Sequence, residues 1–278
     1  MIPSNTNFIF IAKHGKNILQ TSFCYLVVMD IKIFSYNIRG LPFFPDSWTE
    51  PLGTWFMDCD YDIICLQEVF TQGRINTMRT SLEKEGYIVL KPNDFAEHAN
   101  ILGSGLITAV KAKTWNVIKE GFTQFTDFTG AENLANKGFH WLLIEHKSLK
   151  VQTIIINTHM QADHPCNYFS GCIDTRPIRR KQMTQIIDFL NSVSNIKHLI
   201  IGDINSELEP HEDIQYLTGI SGGLTKHTFE PTGEDLDHIA IIPKIWGDKR
   251  PILKDISVLT KLWWSDHWPL HVVLRLNS

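Results

Sequence analysis

The sequence lacks the features that mark several classes of protein. No apolar stretch approaches the roughly 20 residues of a transmembrane helix. Five cysteines among 278 residues are too few for a disulfide scaffold of this size. A net charge of -4 leaves no basic surplus of the kind that dedicated nucleic-acid-binding proteins carry. Repeats and low-complexity segments are also missing, so neither a repeat protein nor a disulfide-rich module is expected, although a nuclease with a local basic cleft stays possible.

The first 28 residues stand apart from the remainder of the chain. Residues 18–28 are apolar but interrupted by three polar residues, and two lysines precede them, as in a weak signal-peptide core without a small-x-small cleavage site. Alternatively, Met29 is the true start, because the first convincing strand begins at Ile31. We treat residues 1–28 as an extension of open status. Residues 29–278, with ample apolar content for a core, are predicted to form one domain.

Short apolar runs recur along the chain and predict strands. The predicted strands cover residues 31–36, 62–66, 87–90, 106–108, 141–146, 151–156, 198–201, 239–242 and 270–276. Ile75, Met78 and Leu82 recur at helical spacing before Gly86, a predicted C-cap, and a second helix is predicted around residues 183–190. Strands dominate, with two or three helices between them. This pattern fits an α/β fold with two packed sheets flanked by helices.

The stretch 200–205 is the centre of the functional argument. An apolar run stops at Gly202, and an acid and an amide follow with one residue between them. Alternate residues after a strand point the same way, so Asp203 and Asn205 would present a carboxylate and an amide side by side. Such a pair suits a divalent metal, an attacking water or a phosphate oxygen. Alone, it could equally be an Asp-Asn turn that closes the strand.

Polar residues stand at the ends of several other predicted strands. Each one has an ordinary structural explanation, such as a turn residue, a helix N-terminal acid or a core histidine. Together they supply hard oxygen ligands, two histidines and phosphate-binding amides, the inventory of metal-assisted phosphoester cleavage. The set comprises Asn37, Glu68, His159, Asp203, Asn205, Asp237, Asp266 and His267.

These residues and their neighbours also carry a family resemblance. The ordered motifs are Asn37, Gln67-Glu68, Asn157-Thr158-His159, Gly202-Asp203-Ile204-Asn205 and Ser265-Asp266-His267. This order, over about residues 31–276, resembles the endonuclease/exonuclease/phosphatase superfamily, which includes deoxyribonuclease I and the neutral sphingomyelinases. The resemblance implies a four-layer α/β sandwich of two packed mixed β-sheets flanked by helices.

Within that superfamily the chain looks closest to the sphingomyelinase branch. The segment 158–162, Thr-His-Met-Gln-Ala, resembles the Thr-His-x-Gln-Ala segment of that branch. The segment 130–139 resembles its Gly-Ala-Asp-x-Leu-x-Asn-Lys-Gly-Phe segment, with Glu132 in place of the usual aspartate. His238 follows Asp237 where a tyrosine is common. Neither departure removes a reacting group.

The resemblance implies a phosphodiester hydrolase that depends on Mg²⁺ or another divalent cation. Glu68 would bind the metal, helped by Asn37 directly or through water, and Asp266 would be an acid on the metal side. A small, hard cation prefers such oxygen ligands. The activity implied by the branch is hydrolysis of sphingomyelin to ceramide and phosphocholine.

The other residues would carry the proton chemistry. His267 would be the general base and Asp237 would orient it. Asp203 would position the water or a second metal, and Asn205 would donate to a phosphate oxygen. His159 would stabilise the transition state or assist the leaving oxygen. These roles come from the resemblance and not from the spacing.

A sphingolipid or phospholipid substrate lies in a membrane, so the enzyme would need an interfacial surface. Trp263 and Trp264 are candidate membrane contacts, because tryptophan favours the headgroup region, and Lys137 is a candidate contact for the phosphate. Core packing would explain the tryptophans equally well. We expect a monomer that is secreted or peripheral to a membrane, without a stable nucleic-acid partner.

Two other functions are compatible with the sequence. A nuclease of the same fold would need basic residues along its groove, and residues 176–181 form a dense basic cluster near a predicted helix start. A binding protein that has lost the chemistry would be expected to lack a histidine or an acid, whereas all of them are present here.

Overall fold

The computed structural model describes residues 28–42, 49–56, 59–93, 102–163, 174–193, 196–206, 211–218, 227–262 and 264–277. The extension predicted over residues 1–28 lies outside these ranges except for Val28, and Trp263 also lies outside them. The separation of this extension from one domain at 29–278 therefore stays a prediction. Within the described ranges, no helix has the length and apolar character needed to cross a membrane.

The chain forms twelve described strands and four described α-helices. The strands are β1 (Val28–Gly40), β2 (Ile63–Val69), β3 (Tyr87–Leu90), β4 (Ile107–Lys111), β5 (Trp115–Gln124), β6 (Gly138–His146), β7 (Gln152–His159), β8 (His198–Asp203), β9 (Gln215–Tyr216), β10 (Asp237–Ile241), β11 (Ile252–Val258) and β12 (Leu270–Asn277). The helices are α1 (Thr49–Trp55), α2 (Gln72–Lys84), α3 (Arg176–Ser192) and α4 (Pro243–Trp246). The predicted strands and both predicted helices are confirmed.

The strands form two mixed six-stranded sheets. The first sheet has the order β11-β12-β1-β2-β4-β3 and the second has the order β5-β6-β7-β8-β10-β9. Each sheet contains one parallel pair, β1 with β2 and β7 with β8, and the remaining pairs are antiparallel. The two parallel pairs contact each other across the interface between the sheets.

Alternation along the strands separates three cores. In β1, Ile31 and Ile33 face the other sheet, whereas Phe34 and Tyr36 pack into a core beneath α1 and α2. In β7, Ile155 faces the first sheet, while its neighbours on either side pack with α3. Helices therefore cover the outer faces of both sheets, and the predicted four-layer α/β sandwich is confirmed.

Sequence reasoning missed β5, β9, β11, α1 and α4. The strands β5 and β11 lie at the edges of their sheets and are largely exposed or half-buried, so their sequences show no continuous apolar run. The others are short, and β9 has only two residues. A short element does not produce a detectable period.

Candidate active site

The predicted site residues converge because the parallel strands of both sheets end at one edge of the sandwich. Glu68 lies near the end of β2, and His159 and Asp203 are the last residues of β7 and β8. Since β10 runs antiparallel to β8, its first residue, Asp237, pairs with Asp203. His267 lies just before β12, which runs antiparallel to β1.

A cleft of about 1450 Å³ opens at this edge. Six of the predicted residues line it, and Asn37 and Asp237 lie buried behind them. The lining members of the set are Glu68, His159, Asp203, Asn205, Asp266 and His267.

Asn37 joins the two sheets at the floor of the cleft. Its Nδ2 donates to Oε1 of Glu68 at 2.9 Å and to Oδ2 of Asp203 at 2.8 Å. Both protons of the amide are therefore used to hold two carboxylates of different sheets. Without such donors the two acids would repel each other in a site that is largely removed from water.

Both histidines approach the same oxygen of Asp203. The Nε2 atoms of His159 and His267 each lie 3.6 Å from Asp203 Oδ2. The other oxygen of Asp203, Oδ1, accepts a hydrogen bond from the backbone amide of Asn205 at 2.9 Å. The space around Asp203 Oδ2 is therefore bounded by two imidazoles and the Asn37 amide.

His267 and Asp237 form a buried pair. Nδ1 of His267 lies 2.8 Å from Oδ2 of Asp237, and both side chains are almost fully removed from solvent. The ring of Phe229 lies beside the imidazole, with centroids 4.9 Å apart. Because Nδ1 is engaged by Asp237, Nε2 of His267 is the nitrogen that faces Asp203 and the cleft.

The predicted phosphate contact Lys137 lies in an unexpected environment. Its side chain is 2% exposed, and Nζ pairs with Oε2 of Glu132 at 2.6 Å and donates to the carbonyl of Met160 at 3.0 Å. Asn205 Nδ2 donates to the same carbonyl at 3.1 Å. The burial of Lys137 does not fit a membrane contact. Its contact with the substrate phosphate stays a prediction.

Asp266, the predicted metal-side acid, and Trp264, a predicted membrane contact, both interact with other residues of the chain. Asp266 forms an ion pair with Arg39, whose Nε lies 3.2 Å from Oδ2. The Asp266 oxygen Oδ1 accepts from the Ser265 hydroxyl at 3.2 Å. Trp264 is half-buried against the core beneath α1 and α2, so part of its ring is used in packing.

Burial and neighbouring charges set the protonation of the site. Burial raises the pKa of the Glu68 carboxyl, and it raises the pKa of Asp203 to about 7. Burial also holds the pKa of His159 well below its usual range, and the charges of Lys137 and His267 act in the same direction. Burial opposes the charge on His267, but the carboxylates of Asp237 and Asp203 outweigh it and raise its pKa to about 10.

The residues fit a hard divalent cation. Glu68 presents a buried oxygen, Oε2, for which the described residues provide no hydrogen-bond donor. A second group, Asp203, Asp237 and His267, offers three ligand atoms within 4.8 Å of one another. Two of those residues already satisfy each other through the Asp237–His267 hydrogen bond, so the unsatisfied Glu68 oxygen is the better-supported position.

The backbone at the site adopts conformations that local sequence patterns do not reveal. Glu68 and Asn205 have φ values of 58° and 55°, in the left-handed region. Gly202 has a φ of 139°, and a Cβ there would lie 2.0 Å from the carbonyl oxygen of Thr158. Only glycine permits this approach of β8 to the residue that precedes His159.

Sequence reasoning missed Phe229 and its neighbour Thr228. They lie on no predicted element, and nothing in their sequence marks them as part of the site. Only the packing of the segment against His267 reveals them.

Comparison with known proteins identifies the class. No protein-family model matches the chain. A beta toxin from Staphylococcus aureus, solved with bound magnesium ions, superposes with a TM-score of 0.70 at 19% identity, covering 88% of this chain and 99% of that one. An endonuclease/exonuclease/phosphatase from Bacteroides vulgatus gives 0.68 at 16% identity, covering 89% and 99%. The chain therefore has the fold of the endonuclease/exonuclease/phosphatase superfamily.

Within that class the chain resembles the sphingomyelinases, as the motifs predict. It is 26% identical to sphingomyelinase C of Bacillus cereus over 196 residues, which are 63% of this chain and 56% of the relative. The match thus spans little more than half of the curated relative. Sphingomyelinase C from Streptomyces griseocarneus superposes with a TM-score of 0.68 at 19% identity, covering 90% of this chain and 100% of that one.

Proposed function

We propose that this protein is a Mg²⁺-dependent phosphodiesterase that hydrolyses sphingomyelin to ceramide and phosphocholine. The observation that carries the proposal is the approach of two imidazoles with opposite pKa shifts, His159 and His267, to one oxygen of a buried aspartate. Such a site can both deprotonate a water and stabilise charge on a phosphoryl group. Similarity to sphingomyelinase C supports the choice of substrate.

In the proposed reaction a water attacks phosphorus in line with the bond to the ceramide oxygen. His267 acts in its neutral form: Nε2 accepts the proton of that water, and the Asp237 carboxylate at Nδ1 orients the ring and stabilises the imidazolium that results. Asp203 holds the water in line. The P–O bond then breaks, the ceramide oxygen on the far side takes a proton from solvent water to form the alcohol, and His267 releases its proton to solvent.

His159 is suited to hydrogen bonding rather than to proton donation. Because burial lowers its pKa, its imidazole is neutral at pH 7. A neutral ring with its proton on Nε2 can still donate a hydrogen bond to a phosphoryl oxygen as negative charge develops there. Asn205 would donate a second hydrogen bond to a phosphoryl oxygen from its side-chain amide.

Glu68 would hold the Mg²⁺, with Asn37 and Asp266 beside it. When bound, the cation would polarise a phosphoryl oxygen and reduce the acidic field that raises the pKa of His267. Asn37 already fixes Oε1 of Glu68, so Oε2 would be the oxygen available to the metal. The ion pair between Asp266 and Arg39 would have to loosen for Asp266 to contribute.

The substrate implies that the enzyme works at a membrane surface, as a secreted or peripheral monomer. Trp263 and Trp264 stay the proposed contacts with lipid, and Lys137 stays the proposed contact with the phosphate. Trp264 retains a solvent-accessible part of its ring.

A nuclease of the same fold is the competing function, and the charge pairing in the cleft argues against it. Four of the five arginine and lysine side chains that line the cleft have a carboxylate within ion-pair distance, which makes their charges less available to a phosphate backbone; Arg180 is the fifth. The pairs are Arg39–Asp266, Arg176–Asp174, Arg179–Asp163 and Lys181–Asp127.

Release of phosphocholine from sphingomyelin liposomes, with Mg²⁺ and with a chelator, tests the proposal. Plasmid nicking is measured in parallel, and His267→Ala serves as the control for both reactions. We expect metal-dependent lipid cleavage that disappears in the variant. Plasmid nicking without lipid cleavage would show that the substrate is a nucleic acid, while the catalytic roles of the residues would stand. Inactivity in both assays would overturn the proposed function.

A further inference from the structure

The segment Thr228–Glu234 borders the cleft and has no role in the mechanism described above. It is a tight hairpin in which the Phe229 amide donates to the carbonyl of Glu234 at 2.9 Å. The Gly233 amide donates to the carbonyl of Phe229 at 3.1 Å. Phe229 also pairs with His267 as an antiparallel bridge, so the hairpin is joined to the segment that carries the proposed base.

Thr228 contacts both chain segments of the buried pair. Its hydroxyl oxygen accepts hydrogen bonds from the amides of Leu236 at 2.8 Å and Asp237 at 3.1 Å. Its carbonyl accepts from the amide of Trp268, the residue after His267, at 2.6 Å. The Thr228 side chain is fully buried and is not among the residues that line the cleft.

These bonds matter because Asp237 and His267 belong to different sheets. Asp237 begins β10 in the second sheet, and His267 precedes β12 in the first. The 2.8 Å contact between their side chains therefore depends on how two separate pieces of chain are held together. A misplacement of about 1 Å in such an arrangement can cost about 100-fold in rate.

We propose that Thr228 is a positioning residue for the His267–Asp237 pair. Its hydroxyl fixes the backbone of the acid, its carbonyl fixes the backbone beside the imidazole, and the following ring of Phe229 covers one side of the base. The effect on catalysis rests on the proposed function, whereas the effect on the geometry of the pair does not.

Thr228→Val removes the hydroxyl and keeps the shape of the side chain. We expect kcat on sphingomyelin liposomes to fall about 10- to 100-fold with little change in KM, because the loss lies in alignment and not in substrate binding. Thr228→Ser, which restores the hydroxyl, should recover most of kcat. Thr218→Val is the matched control. The buried Thr218 hydroxyl accepts from the amide of Ile239 at 3.0 Å, and Ile239 lies two residues after Asp237 on β10.

Two further readouts separate positioning from simple loss of stability. The Nδ1 proton of His267 should give a downfield NMR signal, identified by its loss in His267→Ala, and Thr228→Val should shift or broaden it. Thr218→Val should leave it unchanged. In an Asp237→Asn background, Thr228→Val should cost less than about twofold in kcat, because the partner it positions is already lost.

The outcomes distinguish the two proposals. An inactive wild type would overturn the proposed function, while a signal that shifts in Thr228→Val alone would still support the positioning role. An unchanged signal, an equal loss of kcat in Thr218→Val, or full additivity with Asp237→Asn would overturn the role of Thr228.

Discussion

The two histidines of the site are a natural comparison. His159 ends a strand of the second sheet and His267 precedes a strand of the first, yet both Nε2 atoms lie 3.6 Å from one oxygen of Asp203. Both side chains are about equally buried. What differs is the far side of each ring, where His267 meets the carboxylate of Asp237, whereas Nδ1 of His159 has no partner among the described residues.

This difference reverses the direction of the two pKa shifts. Burial lowers the pKa of His159, and no hydrogen-bonded carboxylate on its far side compensates. The same burial acts on His267, but the carboxylates outweigh it and raise the pKa. Equal distance to a shared acid therefore does not make two residues equivalent, because the partner on the remote nitrogen decides which proton state is stable.

The largest expected effect separates the two histidines by substitution. His267→Ala should lower kcat at the upper end of the roughly 10²–10⁴-fold range of acid–base catalysis, and His159→Ala at its lower end. His159→Gln retains a neutral N–H donor and should recover about tenfold over alanine, whereas His267→Gln should recover nothing. Phosphocholine release measures all four variants, and equal recovery at both positions would show that the histidines have the same role.

The next effect breaks the contact that places His159. Gly202→Ala would force a Cβ against the carbonyl of Thr158 at a φ of 139°, so we expect a loss of about 3–5 kcal/mol of unfolding free energy. Urea unfolding measures the loss. Gly73→Ala in α2, where a Cβ meets nothing within 4 Å, is the control and should be neutral or stabilising by up to about 1 kcal/mol.

Metal binding tests the role of Glu68, one of the two carboxylates to which Asn37 donates. Mg²⁺ at 100 times its Kd should stabilise the wild type by about 2.7 kcal/mol, raising Tm by several degrees. Glu68→Gln should abolish that rise because it removes the charge of the buried oxygen. Glu234→Gln, on the hairpin side of the cleft, should keep it. A wild type that shows no rise would contradict the metal assignment.

The smallest effect extends the comparison to a histidine remote from the site. Burial lowers the pKa of His198 to about 4, and its Nε2 accepts from the Ile242 amide at 2.9 Å. Between pH 6.5 and 4 the unfolded chain binds the extra proton, so stability falls as the pH falls, by about 2 kcal/mol from pH 7 to 5. His198→Gln keeps the acceptor without titrating and should flatten this decline in urea unfolding.

His271→Gln is the matched control for that measurement. The His271 imidazole is half-buried, and burial lowers its pKa, but the carboxylate of Asp255 at 3.5 Å partly offsets that effect. We expect a smaller change in the pH dependence than for His198. An identical change in both variants would mean that the acid partner does not compensate for burial.

Much of the fold could be predicted because buried strands have a local signature. The runs at β2 and β8 are apolar throughout, since layers cover both of their faces. Edge strands such as β5 lack that signature and were missed. For the site, the residue types and their order predicted eight residues that the structure brings together at one edge of the sandwich, but they did not predict Thr228 or Phe229.

The sequence by itself determined the inventory: polar residues at strand ends, two histidines, and a glycine before Asp203. Tertiary structure alone decided the pairings, such as the bond from Asn37 to Asp203 across 166 residues and the burial of Lys137 beside Glu132. It also decided the opposite directions of the pKa shifts of the two histidines. Residue type and periodicity are properties of neighbouring residues, whereas a pKa or an alignment depends on distances between segments that meet only when the two sheets pack.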